Sequence, residues 1–278
     1  MTDRHSLAFA YNTNGFAHHR LDEALEVIAE LGYQGVALTL DVHHLDPVRA
    51  TDEEVDALKD RLRSLGLRIV IETGGRYILD PRRKHYPSLL SAEGRERRIE
   101  FLLGAVRIAN RLGAEAVSLW SGRPDPGLAS PDLAERHLRS GIEVVSRGCE
   151  GKGVRLALEP EPGMLVDTLG RFDALVAAVR PADLGLTLDI GHAHCLEREP
   201  TPEIIHRYGD RIWNVHIEDI RGKVHEHLPF GEGDIDFPPI LDALRQIRYA
   251  GLVSVELSRN SHDAPLQARK SIEFLRSL

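Results

Sequence analysis

Four residues of metal-binding type each end a short apolar run, and these residues are Glu159, Asp189, His216 and Glu256. Successive members are 30, 27 and 40 residues apart, which suits consecutive strand–helix units. All strand C-termini of a parallel barrel open on one face, where active sites lie. Although a lone acidic residue after a strand is more often a helix cap, four in succession predict one shared divalent-cation site. Three carboxylates with one imidazole favour Mn²⁺, Mg²⁺ or Co²⁺, and Zn²⁺ is also acceptable.

Two histidines are further candidates near this site. His192 stands three residues after Asp189, in the predicted turn after the sixth strand, where it would bond a substrate hydroxyl or support a metal ligand. His227 belongs to the segment His-Glu-His-Leu-Pro-Phe-Gly-Glu-Gly and is predicted to line the pocket, with His225 a weaker candidate. The alternative for either histidine is an ordinary polar loop residue.

Residues at the ends of the third, fourth and fifth strands point to the same face. Glu72 is predicted to make a polar contact to the substrate, and Trp120 to wall the pocket unless it simply fills the core. Glu161 would either support Glu159 or be a solvated loop acid. The long loop 73–91 carries a cationic cluster that would hold a phosphate or carboxylate, unless it is merely solvated: Arg76, Arg82, Arg83, Lys84 and His85.

Eight apolar, β-type runs alternate with amphipathic helical stretches along the chain. The predicted strands are 6–11, 35–40, 67–72, 115–120, 154–159, 184–189, 211–217 and 252–257. The predicted helices are 21–31, 51–65, 92–112, 130–147, 168–179, 201–209, 238–247 and 264–277. This pattern favours an α/β protein with a parallel sheet covered by helices, a single (β/α)8 TIM barrel. The main rival, a doubly wound open sheet, usually has a Gly-rich loop after its first strand, which this chain lacks.

Bulk properties narrow the class of protein. The 278 residues are 42% hydrophobic and 28% charged, and no linker divides them, so residues 1–278 are predicted to form one domain. A net charge of −8 argues against nucleic-acid binding. The sequence shows no signal peptide and no apolar run long enough for a membrane span, and only two cysteines, so a cytoplasmic protein is expected.

Five short motifs together resemble those of the xylose isomerase-like barrel superfamily. They are Leu-Glu-Pro at 158–160, Leu-Asp-Ile-Gly-His at 188–192, Asn-Val-His at 214–216, Gly-Glu-Gly at 231–233 and Val-Glu-Leu at 255–257. The resemblance covers nearly the whole chain. It implies a xylose isomerase-like TIM barrel and one divalent metal ion, most often Mn²⁺, held by Glu159, Asp189, His216 and Glu256.

The resemblance also implies roles for single residues. In the epimerase branch, the two glutamates matching Glu159 and Glu256 form the acid–base pair, and the histidine matching His192 lies in the same Asp-x-x-His turn. The expected function is therefore that of a metal-dependent isomerase or epimerase. It would act on a sugar, sugar phosphate or cyclitol by proton transfer next to a carbonyl, through an enediolate. Such an enzyme needs a small-molecule substrate and no nucleic acid or membrane, and it could be a homo-oligomer.

Three other functions stay open at this level. A metal-dependent lyase, such as an inosose or dehydroshikimate dehydratase, begins with the same proton abstraction and then expels a hydroxyl. An endonuclease IV-like repair enzyme would need further zinc-binding histidines after strands three and four, where this chain has Glu72-Thr-Gly-Gly and Trp120-Ser-Gly. An inactive binding subunit that kept the ligand residues is the alternative that is not an enzyme.

Overall fold

A computed structural model describes residues 6–124, 130–179 and 184–278. Its eight strands form one closed barrel in which every neighbouring pair is parallel. The strands are β1 (Ala8–Asn12), β2 (Gly35–Thr39), β3 (Arg68–Glu72), β4 (Val117–Trp120), β5 (Leu156–Glu159), β6 (Leu184–Asp189), β7 (Ile212–Ile217) and β8 (Leu252–Val255). The predicted (β/α)8 barrel is confirmed, and β1 closes it by pairing with β8.

Helices follow the strands and cover the outside of the barrel. They are α1 (Leu21–Glu30), α2 (Asp52–Ser64), α3 (Arg95–Leu112), α4 (Pro131–Cys149), α5 (Leu169–Ala178), α6 (Ile190–Leu196), α7 (Thr201–Tyr208), α8 (Phe237–Gln246) and α9 (Ala264–Ser277). Buried side chains of strands and helices form one large hydrophobic cluster. Among the described residues, no helix has both the length and the apolar character needed to cross a membrane.

Local sequence signals explain most helix boundaries. Thr51 and Glu54 form the predicted capping box at the start of α2. Helix α3 begins at Arg95 rather than at 92, because Gly94 takes a left-handed conformation (φ 70°) that interrupts the backbone pattern. Asp236 occupies the predicted N-cap of α8, but its side chain makes no capping hydrogen bond.

The segment after β6 differs from the predicted turn. It forms the short helix α6, and Asp189 is its N-cap, with the side chain accepting a hydrogen bond from the backbone N–H of His192 at 2.6 Å. The sequence prediction missed this helix because Ile190–Leu196 is too short to show an amphipathic pattern. Consequently Asp189 and His192 are held at a helix N-terminus rather than in a free loop.

The barrel interior has an apolar layer below a polar layer. Ala10, Ala37, Val70, Ala116 and Leu252 form a separate small cluster of buried residues. Two positions further along, the same strands carry the polar or acidic residues Asn12, Thr39, Glu72, Ser118 and Ser254. Because side chains alternate across a strand, residues two apart share a face. The polar layer therefore lies nearer the C-terminal ends of the strands.

Candidate metal centre

The predicted ligands meet at the C-terminal end of the barrel. Glu159, Asp189 and His216 end or nearly end β5, β6 and β7, and Glu256 directly follows β8. Their ligand atoms all lie within 4.8 Å of one another. His216 Nδ1 is 3.0 Å from Glu256 Oε2, 3.1 Å from Glu159 Oε1 and 3.9 Å from Asp189 Oδ2. Three carboxylates thus converge on one imidazole nitrogen.

This donor set fits a divalent cation. One ring nitrogen carries at most one proton and cannot donate to three carboxylates. Asp189 Oδ2 is buried and has no hydrogen-bond partner among the described residues, although buried carboxylate oxygens normally have one. Ligands bound to one ion at about 2.0–2.3 Å lie at most about twice that length apart, so a small adjustment would bring all four into contact with it.

Charge in this cluster also favours a cation. Burial raises the pKa of Glu159 well above its ordinary value, and His216 only partly offsets the effect. Burial acts in the same direction at Glu256, but there His216, His227 and His192 together lower the pKa below its ordinary value. Burial alone would lower the pKa of His216, yet the surrounding carboxylates, Glu72 first among them, raise it well above 6.5. The cluster therefore stabilises positive charge at its centre.

The far side of His216 contacts Glu72. His216 Nε2 lies 2.9 Å from Glu72 Oε1, and Asn214 Nδ2 donates to the same oxygen at 2.8 Å. A carboxylate on the second ring nitrogen of a metal-binding histidine fixes its tautomer and orientation. Glu72 also lines the cavity, as the predicted substrate contact requires. The structure therefore allows two roles for Glu72: orienting His216 and contacting the substrate.

A second polar contact holds Glu256. Asn14, in the 3₁₀ turn after β1 (Thr13–Phe16), donates from Nδ2 to Glu256 Oε1 at 2.7 Å. The other carboxylate oxygen, Oε2, faces His216. One oxygen is therefore fixed by the protein while the other points to the cluster. The sequence analysis missed Asn14 because the contact joins residues 242 positions apart.

The predicted pocket histidines form a group of their own. His192 Nε2 lies 2.9 Å from His225 Nε2, which is 3.1 Å from His227 Nε2. All three line the cavity. Burial lowers the pKa of His225 to about 4, and His192 and His227 add to the effect. The His225 ring is therefore neutral near pH 7. A neutral imidazole offers one donor and one acceptor nitrogen to a neighbouring group.

Glu218 is a buried acid that the sequence analysis did not single out. It is fully buried, and neither carboxylate oxygen has a hydrogen-bond partner among the described residues. His227 Nδ1 lies 3.7 Å away, and a side chain at Gly191 would collide with Glu218 Oε1. Burial, followed by Asp189, raises the pKa of Glu218 well above its usual range. Its position two residues after His216, on the same strand face, was the available signal.

Trp120 lines the cavity at the end of β4. It is 7% exposed, with the His85 ring edge-on at 5.2 Å and the Arg98 guanidinium 4.8 Å from its ring centroid. Arg98 is buried and donates to the backbone carbonyls of Pro87, Thr73 and His85. Arg98 therefore attaches the long loop after β3 to helix α3, and Trp120 packs against this connection.

Comparison with known proteins identifies the family. A family model described as xylose isomerase-like TIM barrel matches residues 25–278. The chain belongs to this family. An uncharacterised protein, MJ1311 from Methanocaldococcus jannaschii, is 27% identical over 266 residues, which are 93% of this chain and 86% of that protein. An L-ribulose-5-phosphate 3-epimerase from Shigella boydii is 24% identical over 92% of this chain and 88% of its own length.

Other similarities either cover only part of the chain or concern the fold alone. An inosose dehydratase from Geobacillus kaustophilus is 31% identical over 140 residues, only 44% of this chain and 45% of that protein. Among solved structures, 3-keto-D-glucoside 4-epimerase from E. coli has a TM-score of 0.79 at 17% identity and covers 98% of this chain and 100% of its own. A D-allulose complex of D-allulose 3-epimerase from Methylomonas sp. has a TM-score of 0.74 at 21% identity, covering 98% and 96%.

Proposed function

We propose that this protein is a divalent-metal-dependent isomerase or epimerase acting on a sugar, sugar phosphate or cyclitol. The observation that carries the proposal is the convergence of Glu159, Asp189, His216 and Glu256 within 4.8 Å in a cavity of about 610 Å³. That cavity is large enough for a monosaccharide-sized ligand. Relatives named as epimerases and dehydratases of sugars and inososes support the same choice.

Proton transfer is assigned to the two glutamates. Glu159 ends β5 and Glu256 follows β8, three strands apart around the ring, so their carboxylates approach a bound molecule from different directions. One would remove the proton next to the carbonyl and the other would return it, which inverts the carbon when they act on opposite faces. A cation held by the four ligands would supply Lewis-acid stabilisation of the enediolate's negative charge. Manganese is our preferred metal, with Mg²⁺, Co²⁺ and Zn²⁺ as alternatives.

Neighbouring residues prepare these carboxylates and the substrate. Asn14 fixes Oε1 of Glu256, so Oε2, which faces the cluster, is the oxygen proposed to exchange the proton beside the cation. His192 and His227 are proposed to hold substrate hydroxyls from one side of the cavity, and Trp120 to close another. His192 Nδ1 lies 3.1 Å from the Pro160 carbonyl, so an N–H on Nδ1 makes Nε2 the acceptor, and a substrate hydroxyl would replace His225 as its partner.

The second candidate is a lyase that removes water from an inosose-type substrate. The 31% identity to an inosose dehydratase over residues amounting to 44% of the chain favours it. Both reactions begin with abstraction of a proton next to a carbonyl, and they part when a β-hydroxyl leaves. Mass spectrometry of the product separates them, because a dehydratase product lacks one water and an epimerase product has the mass of its substrate.

The test of the proposed function is Glu256→Gln, compared with Glu273→Gln on the exposed face of α9. The amide keeps the shape and the bond to Asn14 but cannot accept a proton, so turnover is expected to fall by about 10³-fold or more. The surface variant should match the native enzyme. A screen of ketoses and inososes, with circular dichroism to check folding, measures both. Full activity of a folded Glu256→Gln variant would refute the acid–base assignment.

A further inference from the structure

Four cations surround the solvent end of the cavity that contains the metal centre. These mouth cations are Arg76, Lys84, Arg123 and Arg259, and all four line the cavity. They come from three separate loops, after β3, β4 and β8. All four are exposed, whereas Glu159, Asp189 and His216 are buried. The cavity therefore has an acidic, metal-binding inner end and a basic outer end.

The charges of the mouth cations are poorly neutralised by the protein. Lys84 and Arg123 make no hydrogen bond or ion pair with any residue the structure describes. The guanidinium of Arg76 donates to the Ser258 carbonyl at 3.2 Å, a neutral acceptor. Arg259 has one carboxylate neighbour, Glu226 at 3.8 Å, in a pair whose side chains are 58% and 43% exposed. Exposed pairs of this kind contribute little, so most of the positive charge is available to a ligand.

Mutual repulsion marks these cations as a group. Partial burial lowers the pKa of Lys84, and Arg76, Arg123 and Arg259 lower it further, while Glu161 acts in the opposite direction. Asp41 also borders this end, but its carboxylate accepts hydrogen bonds from the backbone N–H groups of Val42 and Arg76. Placing like charges together costs free energy unless an anion compensates them. A site that binds an anion keeps such a cluster of cations, because the bound anion offsets the repulsion between them.

The other two cations of the same loop behave differently. Arg83 is bonded to Asp80 at 2.8 Å and lies over the Tyr86 ring at 3.4 Å from its centroid. Neither Arg82 nor Arg83 lines the cavity. Of the arginines and the lysine of this loop that the sequence indicates as anion ligands, Arg76 and Lys84 therefore lie at the cavity. The other two mouth cations, Arg123 and Arg259, come from loops distant in sequence.

We propose that the substrate of this protein carries an anionic group, a phosphate or a carboxylate, which the mouth cations bind while the carbonyl end lies at the metal centre. This inference rests on the proposed function for the carbonyl end only. A neutral sugar of the same size would leave the mouth cations uncompensated. The substrate class is thus narrowed from any sugar or cyclitol to acidic ones.

Binding of inorganic phosphate and of malonate, measured by calorimetry, tests this inference without turnover. The variants are Lys84→Gln and Arg123→Gln, with Arg83→Gln as the matched control outside the cavity. Losing one charge-assisted contact should weaken binding of the preferred anion about tenfold in the first two variants. The control should bind as the native protein does. Equal affinity in all four proteins, or no binding by any, would overturn the proposal.

A kinetic comparison then separates phosphate from carboxylate. Ketopentose 5-phosphates are compared with the parent ketopentoses, and cyclic keto acids with neutral inososes. The anionic member of one pair should have a kcat/KM at least about tenfold higher, and Lys84→Gln should remove this advantage mainly through KM. Equal use of both members would overturn the proposal. Failure to turn over any sugar would contradict the proposed function instead, and the binding experiment would still decide this inference.

Discussion

The two halves of the barrel contribute differently to the candidate site. Strands β5–β8 and the residue after β8 supply all four predicted metal ligands. Strands β1–β4 and their loops supply Asn14, Glu72 and Trp120, which contact those ligands or line the cavity. One side of the ring therefore supplies the predicted ligands, and the opposite side orients them. Substitutions in either half of the barrel are therefore expected to weaken metal binding or catalysis at this site, but by different amounts.

The largest effect is expected in the ligand half, from Asp189→Asn. The amide keeps the capping bond to His192 but loses the charge that a divalent cation requires. Metal content, measured by elemental mass spectrometry, should fall from about one ion per chain to none, and activity should be lost with it. The matched change in the other half is Thr39→Val, a buried hydroxyl bonded to Asn12 at 2.7 Å. Equal metal loss in both variants would contradict the inference that only the half with strands β5–β8 supplies the metal ligands.

A smaller effect is expected when orientation is disturbed, as in Glu72→Gln. The amide oxygen still accepts from His216, but the negative charge behind the ring is gone. Loss of such a supporting partner should reduce metal affinity by about 10- to 100-fold. Metal titration followed by competition with a chelator measures it. Unchanged metal affinity with a raised KM would instead support the predicted direct contact between Glu72 and the substrate.

A still smaller effect is expected from Asn14→Ala, which removes the donor to Glu256 Oε1. The carboxylate keeps its charge but loses one neutral hydrogen bond, so kcat should fall by about tenfold. Metal content should stay at the native level, in contrast to Asp189→Asn. Steady-state kinetics on the metal-loaded variant checks this. A fall in metal content would place Asn14 among the residues that hold the ion.

The smallest effect concerns stability, through His85 beside Trp120. Burial lowers the pKa of His85 from 6.5 to about 3, and nearby cations, Lys84 first, lower it further. Between these values the unfolded chain binds the proton and the folded chain does not, so stability declines as the pH falls from about 6.5 towards 3. His85→Asn, which tolerates the positive φ of 60° there, removes this loss. Between pH 7 and 5 the native Tm should fall by roughly 2–4 °C more than the variant's. Parallel Tm curves for the two proteins would contradict the assignment to His85.

The sequence predicted those parts of the fold and of the site that depend on side-chain alternation in the strands and on the order of the strands along the chain. Glu159, Asp189, His216 and Glu256 could be found because each follows an apolar run, and parallel closure brings such positions together. Contacts between distant loops gave no comparable signal. Lys84 and Arg123 are 39 positions apart in the sequence, and nothing in their local pattern indicates that they border one cavity.

Closure of the barrel by β1 and β8 has a consequence for how the protein is made. Ala8 of β1 pairs with Leu252 of β8. During synthesis, β1 therefore cannot form this pairing until β8, the last of the eight barrel strands, has been made. Glu256 follows that last strand directly. A nascent chain ending before β8 thus has an open sheet and three of the four ligand residues. Metal capture and completion of the fold are therefore expected to coincide, late in synthesis.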